Sequence, residues 1–405
     1  MKSLPKTHQK SLKIAIACGG TGGHLFPGVA VADTLREMGH QALLLLSDKQ
    51  VDREAVESVD HCAVTLPSAA WQKGGKLKFV RKLGQGFLTC RSIFKKHQPD
   101  TVIAMGGFTS LAPVIMARMQ RRPVFLHESN TIAGRAVRKL ASRADLGFLG
   151  FECAKDSLSG LEYRVTGTPV RETLRNLDRD HCHQELGFQS NRPLLFVTGG
   201  SQGALGINRC VVESLASLKS AIPDIQVLHQ CGHHDNAQKI RDAYQKHQIS
   251  AQVHPFFSRM DLALGAADAA IGRSGASFMA ELAATRLPSL LIPFPSSADG
   301  HQLKNAQTLE SLGAAICLEE SAASGGHFIN IVTSLLLDQS VRLEMKSALA
   351  SLDRPDAAEQ IVRHILKQLG CVEGNEKSNQ LFSQEPHSNL GPDESQQLTH
   401  SHSLS

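Results

Sequence analysis

Two glycine-rich segments have the composition of loops that bind phosphate groups. Residues 19–24 read GGTGGH and residues 199–204 read GGSQGA, and each lies between an apolar run and a helical pattern. The backbone N–H groups of such a turn can approach a phosphate closely, and the N-terminus of the following helix contributes about half a positive charge. Neither segment has the Gly-Lys-Ser/Thr ending of a nucleotide-hydrolysing P-loop. Either could be a tight turn without a ligand, but two of them together favour a diphosphate ligand.

Two titratable side chains lie beside glycine-rich segments. His24 closes the first segment at the end of a predicted strand, where an imidazole could act as a general base near neutral pH. Glu281 lies on a predicted helix that residues 272–276 open, and a carboxylate there could hold two sugar hydroxyls. A structural hydrogen bond is the alternative for His24, and a solvated helix surface is the alternative for Glu281.

Both glycine-rich segments belong to a pattern that begins twice in the chain. Strand-length apolar runs alternate with helix-period segments, which is typical of parallel sheets covered by helices on both faces. Because the pattern starts at residue 13 and again at residue 193, the sequence predicts an α/β protein with two doubly wound, Rossmann-like domains. Strands are expected at residues 13–17, 42–46, 101–105, 124–127, 163–165, 193–197, 225–229, 252–254, 269–272, 289–292 and 315–318, and helices at residues 27–38, 205–218 and 356–369.

The composition divides the chain into four parts. We expect a flexible N-terminus at residues 1–11, a first domain at 12–170, a second domain at 171–370 and a disordered tail at 371–405. The tail is rich in polar residues and has too few apolar ones to offset the entropy cost of ordering.

Overall composition excludes several functions. The 405 residues carry a net charge of +5, too small to indicate nucleic-acid binding, and no apolar run approaches the roughly 18 residues of a membrane-spanning helix. The nine cysteines form no Cys-x-x-Cys pair and fit a reducing compartment. No metal site is predicted, since the adjacent His233 and His234 lack the spacing of ligands on one helix face.

One stretch interleaves basic and apolar residues. Between Asp60 and Asp100 the sequence contains no Asp or Glu. This composition indicates either a surface that binds an anionic membrane or a solvated basic helix face. The residues predicted to form a membrane patch are Trp71, Lys76, Lys78, Phe79, Arg81 and Lys82.

Six motifs in register resemble one bacterial enzyme family over about residues 12–370. The chain is similar to the peptidoglycan N-acetylglucosaminyltransferases that convert lipid I to lipid II. The motifs are residues 19–30 (GGTGGHLFPGVA), 105–110 (MGGFTS), 127–130 (HESN), 167–171 (GTPVR), 199–204 (GGSQGA) and 273–276 (RSGA).

The resemblance implies a GT-B fold, in which two Rossmann-like domains face an interdomain cleft. It implies inverting transfer of N-acetylglucosamine from UDP-N-acetylglucosamine to the 4-hydroxyl of the muramoyl sugar of lipid I, a muramoyl-pentapeptide on undecaprenyl diphosphate. The products are a β1,4 linkage in lipid II and UDP, and neither a metal nor a cofactor is implied. Because the acceptor's lipid remains in the membrane, we expect a peripheral protein on the cytoplasmic face of the inner membrane, with the cell-wall synthesis machinery as a partner.

Our own candidates for the chemistry are His24 as general base and Gly20, Gly106 and Gly107 as ligands of the acceptor diphosphate. The donor contacts of the family carry over to matching positions of this sequence. By the same analogy Glu281 holds the ribose hydroxyls, Gln302 holds the donor sugar, and the backbone of Phe257 lies near the uracil. The implied donor-binding residues are Thr21, Gly22, Gly23, Asn130, Arg171, Ser201, Phe257, Ala276, Ser277, Phe278, Met279, Ala280, Glu281 and Gln302.

The sequence departs from the family pattern near the donor. Ser129 replaces the usual Gln of the motif at 127–130, residues 277–280 differ from the usual stretch before the glutamate, and residues 295–300 differ from the usual polar loop. Phe278 cannot donate a hydroxyl hydrogen bond, so we expect backbone contacts to the donor there.

Three other functions are compatible with the residues. The chain could be another UDP-sugar enzyme on the same fold, such as a UDP-N-acetylglucosamine 2-epimerase or a different lipid glycosyltransferase, or a UDP-sugar-binding scaffold without activity. A dehydrogenase is disfavoured although Asp48 ends the second predicted strand, because neither half has a complete dinucleotide fingerprint.

Overall fold

The structure is a computed structural model that describes residues 11–49, 52, 61–67 and 76–371, apart from the side chains of residues 76–80, 83 and 298. Within this part the chain forms two parallel β-sheets covered by helices. The predicted α/β class with two doubly wound domains is therefore confirmed. Residues 1–10 and 372–405, which include most of the predicted N-terminal segment and tail, lie outside the described part.

The first sheet has seven parallel strands in the order β3-β2-β1-β4-β5-β6-β7. Its strands are β1 (Lys13–Ala17), β2 (Gln41–Ser47), β3 (Cys62–Leu66), β4 (Thr101–Ala104), β5 (Val124–Glu128), β6 (Leu146–Leu149) and β7 (Tyr163–Val165). The helices of this half are α1 (Gly22–Glu37), α2 (Lys76–His97), α3 (Leu111–Met119) and α4 (Arg135–Leu140).

The second sheet has six strands in the order β10-β9-β8-β11-β12-β13. Its strands are β8 (Leu194–Thr198), β9 (Gln226–Gln230), β10 (Ser250–His254), β11 (Ala269–Gly272), β12 (Ser289–Leu291) and β13 (Ile316–Cys317). The remaining helices are α5 (Arg179–Leu186), α6 (Leu205–Glu213), α7 (Leu215–Ala221), α8 (Ala237–Lys246), α9 (Met260–Ala266), α10 (Ala276–Thr285), α11 (His301–Ser311), α12 (Gly325–Leu337), α13 (Gln339–Leu352) and α14 (Ala357–Gln368).

Strand β1 shows why the strand sequences are apolar at every position rather than at alternate ones. Ile14 and Ile16 belong to one buried apolar cluster, and Ala15 and Ala17 belong to another, so both faces of the strand are covered. In each sheet the strand order reverses beside the first strand of that half, between β1 and β4 and between β8 and β11. Open parallel sheets bind ligands beyond the carboxyl ends of the strands at such a point. The fold therefore directs attention to the loops after these four strands.

The last helix packs against a different domain from the one predicted for it. Four residues of α14 share a buried cluster with Ile14 of the first sheet, although residues 171–370 are predicted to form the second domain; the four are Ile361, Val362, Ile365 and Leu366. An amphipathic pattern requires that the apolar face be buried but does not specify which sheet it covers. By its packing, α14 belongs to the first domain, while the exact domain boundaries stay a prediction.

Candidate active site

Glycine is required twice in the loop after β1. A Cβ on Gly19 would lie 2.2 Å from the backbone nitrogen of Ser47, and Gly20 has a φ of +115°. The Gly20 N–H donates to Asp52 Oδ2 at 2.7 Å, and Lys49 Nζ donates to the Gly20 carbonyl at 2.8 Å. The peptide groups around Gly20 are thus held from both sides by side chains that follow β2.

The loop after β4 packs against the imidazole of His24. Gly106 and Gly107 have φ values of +110° and +73°, and a Cβ on Gly106 would lie 2.8 Å from His24 Nε2. Thr109 Oγ1 donates to the carbonyl of Gly19 at 2.9 Å, which joins the two loops. The three glycines predicted to bind the acceptor diphosphate, Gly20, Gly106 and Gly107, therefore lie on loops that meet around His24.

The surroundings of His24 favour a neutral, hydrogen-bonded imidazole. Its Nδ1 lies 3.0 Å from Thr21 Oγ1. Burial lowers the pKa of His24 to about 4; Asp52 opposes this change, and Lys49 and His301 add to it. If Nδ1 carries the hydrogen and donates to Thr21, Nε2 is free to accept a proton, which is the tautomer that a general base requires.

The loop after β8 faces the start of α1 across the cleft. The Cβ position of Gly22 lies 3.6 Å from Ser201 Cβ. Gln230 Nε2 donates to the Gly200 carbonyl at 2.9 Å, and its Oε1 accepts from the Phe257 N–H at 3.2 Å. Because Gln230 already uses the Phe257 N–H, the carbonyl of Phe257 is the backbone group left for the predicted contact near a uracil.

Arg171 and Glu281 form an ion pair at 3.4 Å across 110 residues of sequence. The Arg171 guanidinium carbon also lies 4.0 Å from the centroid of the Phe26 ring. Glu281 is 6% exposed, so the alternative of a solvated surface glutamate is wrong. Burial raises the pKa of Glu281, and the neighbouring Arg171 opposes this shift. The pairing thus favours the charged carboxylate inside the protein.

The start of α10 presents backbone rather than side chains. The helix begins at Ala276. Met279 lies in the core of the second domain, and the Phe278 ring packs over Gly272, whose Cβ position is 2.5 Å from Phe278 Cε1. Of the predicted donor residues 276–280, at least these two therefore direct their side chains into the domain. The N–H groups of the first helical turn stay available, as the departure at Phe278 leads us to expect.

Asn130 and Gln302 lie where the two domains meet. The backbone N–H and Nδ2 of Asn130 both donate to Glu128 Oε1, at 2.9 and 2.8 Å. Gln302 Oε1 accepts from the Phe294 N–H at 2.9 Å, and its carbonyl accepts from Ser274 Oγ at 2.7 Å. Gln302 is thus held by groups of its own domain, and Asn130 is held in part by Glu128 of its own domain.

Sequence reasoning missed several residues that shape the site. Asp52 and Lys49 hold the first glycine loop, and Glu128 orients Asn130 although it belongs to a motif already singled out. Asn305 bonds to Asn130 and Thr131 across the cleft, and its only sequence signal is its place one helical turn after Gln302.

The predicted membrane patch is described only in part. Arg81 is exposed on α2, and Lys82 Nζ lies 3.6 Å from Asp48 Oδ2. Trp71 and the side chains of Lys76, Lys78 and Phe79 lie outside the described residues. No helix in the described ranges is both long and apolar enough to span a bilayer. The same ranges contain no cluster of three His, Cys, Asp or Glu residues suited to a metal ion.

Two family models match the two halves of the chain. The glycosyltransferase family 28 N-terminal domain matches residues 14–146, and the glycosyltransferase family 28 C-terminal domain matches residues 194–361. With two parallel-sheet domains whose glycine loops face each other, these matches define the class: a glycosyltransferase of the GT-B fold.

Curated relatives narrow the class. The chain is 35% identical over 363 residues to a protein of Methylococcus capsulatus, covering 89% of this chain and 99% of the relative. It is 33% identical to a protein of Moorella thermoacetica, covering 88% and 99%. Both relatives are named UDP-N-acetylglucosamine–N-acetylmuramyl-(pentapeptide) pyrophosphoryl-undecaprenol N-acetylglucosamine transferase. The chain belongs to this family of transferases.

Solved structures agree on the fold. Acinetobacter baumannii MurG superposes with a TM-score of 0.66 at 23% identity, covering 88% of this chain and all of that one. A UDP-N-acetylglucosamine 2-epimerase superposes with a TM-score of 0.67 at 15% identity, covering 90% and 98%. The fold alone thus does not separate a transferase from an epimerase.

Proposed function

We propose that the protein transfers N-acetylglucosamine from UDP-N-acetylglucosamine to the 4-hydroxyl of lipid I, giving lipid II and UDP for peptidoglycan synthesis. The observation that carries this proposal is the facing pair of glycine loops, in a chain that is 35% identical to a named transferase. The Cβ position of Gly22 in one loop lies 3.6 Å from Ser201 Cβ in the other. With such a loop on each side of the cleft, an enzyme can hold one diphosphate-bearing substrate in each domain.

The donor is proposed to bind mainly to the second domain. The loop after β8 and the first turn of α10 direct backbone N–H groups toward its diphosphate, and Ser201 lies in that loop. Glu281 is proposed to accept hydrogen bonds from both ribose hydroxyls. Its charge is favoured by Arg171, at 3.4 Å. Asn130 and Gln302 approach the sugar from the two sides of the cleft.

The acceptor is proposed to bind to the first domain. The N–H groups of Gly106 and Gly107 and the loop that contains Gly20 are proposed to surround its diphosphate, beside His24; the Gly20 N–H itself donates to Asp52. The 4-hydroxyl oxygen attacks C1 of the donor sugar from the face opposite UDP. The bond from C1 to the diphosphate oxygen breaks, and UDP leaves with its electron pair. The proton of the hydroxyl passes to His24 Nε2, and proximity of the reacting groups supplies much of the rate.

Mass spectrometry of the products tests this function. Purified protein is incubated with UDP-N-acetylglucosamine and a chelator, with and without a short-chain lipid I analogue. We expect the acceptor to gain one N-acetylhexosamine and UDP to be released only when the acceptor is present. Isomerised UDP-sugar without acceptor would instead identify an epimerase, and bound but unconsumed donor would identify a binding protein.

A pair of variants locates the donor site. Glu281→Gln keeps the shape of the side chain but removes its charge, so the KM for UDP-N-acetylglucosamine should rise about 10- to 100-fold, as for loss of charged hydrogen bonds. The matched control is Glu213→Gln on the exposed surface of α6, which should leave the KM unchanged. Equal KM values for the two variants would remove Glu281 from donor binding.

We also propose that the protein binds the anionic surface of the cytoplasmic leaflet, where the lipid of the acceptor resides. The exposed Arg81 on the basic helix α2 supports this placement. Charge reversal at Lys76, Lys78 and Arg81 should release the protein from anionic vesicles; Lys82 is left unchanged because it contacts Asp48.

A matched control for the vesicle experiment lies in the second domain. Lys239 and Lys246 are exposed on α8, and their reversal to Glu should leave vesicle binding intact. Equal loss of binding in both sets would indicate an effect of net charge rather than of the α2 surface. The cell-wall synthesis machinery stays a predicted partner.

A further inference from the structure

Asn305 is a buried amide whose hydrogen-bonding groups are all used. It lies on α11 of the second domain and is 0% exposed. Its Oδ1 accepts from the N–H and the Oγ1 of Thr131, at 3.0 and 2.9 Å. Its Nδ2 donates to Asn130 Oδ1 and to the Ser274 carbonyl, both at 3.1 Å. Two acceptor sites and two N–H donors complete the capacity of an amide.

Three of these four bonds cross from the second domain to the first. Asn130 and Thr131 follow β5, whereas Ser274 follows β11, so one side chain joins loops of both sheets. If the domains separate, these three bonds are lost together and the buried amide must be hydrated. Asn305 can therefore hold this arrangement only while the cleft is closed at this point.

The orientation of Asn130 depends on the same contact. Glu128 Oε1 accepts from Asn130 Nδ2 at 2.8 Å, and Asn305 donates to Asn130 Oδ1. The Glu128 carboxylate can only accept, so it faces the Asn130 nitrogen, and the Asn305 NH₂ group donates, so it faces the Asn130 oxygen. Together they determine which end of the Asn130 amide carries the oxygen. Gln302 lies one turn earlier on α11, so Asn305 also sets the position of Gln302 relative to Asn130.

We propose that Asn305 is a positioning residue that couples closure of the cleft to the orientation of Asn130. The proposal rests on the proposed function, in which Asn130 and Gln302 contact the donor sugar from opposite domains. Asn305 itself touches no substrate. It acts by fixing Asn130 and the distance across the cleft when the donor is bound.

A second contact from the same segment strengthens this placement. Asp299, just before α11, forms ion pairs with Arg135 and Arg138 of α4, again from the second domain to the first. Asp299 and Gly300 both have positive φ, at +55° and +65°, which turns the chain toward the first domain. The segment 299–305 therefore contacts the first domain at the exposed rim and again at the buried Asn305.

The decisive variant is Asn305→Asp, which retains the shape but removes both N–H donors. A carboxylate oxygen then faces the Asn130 and Ser274 oxygens. We expect the affinity for UDP-N-acetylglucosamine, measured by calorimetry, to fall at least tenfold. We expect kcat with the lipid I analogue to fall up to about 100-fold, as for a misplaced reacting group. The interdomain distance with donor, measured by fluorescence energy transfer between labels on the two domains, should increase.

Asn208→Asp is the matched control. Asn208 is a buried amide of the second domain that donates to Cys231 and Asp235 and accepts from His229, with no bond to the first domain. This variant should lower the melting temperature while leaving the interdomain distance unchanged. If Asn305→Asp and Asn208→Asp change the donor affinity, kcat and the interdomain distance alike, the positioning role is refuted.

Thr131→Val provides a test from the opposite domain that does not alter the core of the second. It removes one of the four bonds to Asn305 while retaining the Thr131 N–H. The effect should have the same direction as Asn305→Asp but be smaller, and the two substitutions should be non-additive in a double-mutant cycle. Additive effects would refute the coupling. If Asn305→Asp is too unstable to purify, Thr131→Val decides alone, and an unchanged donor affinity and interdomain distance in that variant would refute it.

Failure of the proposed function is distinguishable from failure of this inference. If the wild-type protein makes no product from lipid I, the proposed function fails. The interdomain distance with and without UDP-N-acetylglucosamine still decides whether Asn305 controls closure. If the wild-type protein is active and Asn305→Asp closes normally, the inference fails and the function stands.

Discussion

Removal of Arg171 should leave a buried carboxylate without its partner. Breaking a fully buried ion pair costs about 3 to 5 kcal/mol, because the remaining charge is uncompensated. Here the side chains of Arg171 and Glu281 are 16% and 9% exposed and 3.4 Å apart, so we place the cost of Arg171→Met just below that range, at about 2 to 3 kcal/mol of unfolding free energy. Loss of the Arg171 contact to Phe26 contributes about 0.5 to 1 kcal/mol of this.

A double-mutant cycle with Glu281→Leu separates these contributions. When both charges are replaced by apolar side chains, no unpaired carboxylate remains, so Arg171→Met/Glu281→Leu should be more stable than Arg171→Met alone. Urea unfolding followed by circular dichroism gives the four free energies. Phe26→Leu, measured separately, reports the ring contact. If the double variant is destabilised by the full sum of the single changes, the ion-pair reasoning is wrong.

The pH dependence of the unfolding free energy provides an independent test of the ion pair. Burial raises the pKa of Glu281, and without Arg171 nothing in that pair opposes the shift. A folded-state pKa above the unfolded value means that the folded protein binds the proton more tightly, so its stability rises as the pH falls. The deficit of Arg171→Met relative to the wild type should therefore shrink as the pH is lowered from 7 to 5. A deficit that is constant over this range would contradict the assignment.

Three further substitutions have defined outcomes. His24→Ala should lower kcat about 100- to 10,000-fold with little effect on donor affinity, and an unchanged kcat would remove His24 from the chemistry. Because its pKa is about 4, His24 should cause no loss of wild-type kcat/KM between pH 8 and pH 6, and an acidic limb near 6.5 assigned to His24 would contradict the lowered pKa. Burial lowers the pKa of His229 to about 4. Below about pH 6.5 the unfolded chain therefore binds a proton that the folded chain does not, and the unfolding free energy falls by up to about 1.4 kcal/mol per pH unit. In urea unfolding, His229→Gln should show a shallower decline of this free energy between pH 7.5 and 5.5. Gly203 has a φ of +75°, and a Cβ there would lie 2.3 Å from the Cys231 carbonyl oxygen, whereas Gly39 has a φ of +80° and open space around it. Gly203→Ala should therefore lower the melting temperature more than Gly39→Ala. Equal losses would exclude a steric cause.

Most of the sheet framework could be predicted because long apolar runs between turn signals have few other interpretations. Strands β3 and β6 were not predicted: β6 is only Leu146–Leu149 and contains a glycine, and such a short run is not distinguishable by pattern from a loop. The helix expected at 205–218 is divided near Ser214 into α6 and α7. Helix α1 begins at Gly22, five residues before the predicted start at Pro27, so the proline lies inside the helix.

The loops of the site were predictable, but their contacts were not. The two glycine-rich segments lie after β1 and β8 as expected, because turns between strands and helices have a local signature. The ion pair of Arg171 with Glu281 and the bonds of Asn305 to Asn130 and Thr131 join residues 110 to 175 positions apart, and no local pattern encodes such a pairing. Burial of Glu281 is likewise a property of the assembled domains, which is why the solvated alternative stayed open in the sequence.

The return of α14 to the first domain determines how the cleft can open. The chain crosses between domains twice, after β7 and again before α14, and Arg175 forms a bidentate ion pair with Asp353 between the two crossings, at 2.9 to 3.3 Å. The two crossings lie side by side, since the Cβ position of Gly167 is 2.6 Å from Arg354 Cβ, so the domains can rotate about them while both connections remain intact. Asn305 and Thr131 are joined by hydrogen bonds alone, with no covalent crossing beside them. We therefore expect an opening rotation about the crossings to break the bonds of Asn305 to Thr131 and Asn130 while the Arg175–Asp353 pair stays intact.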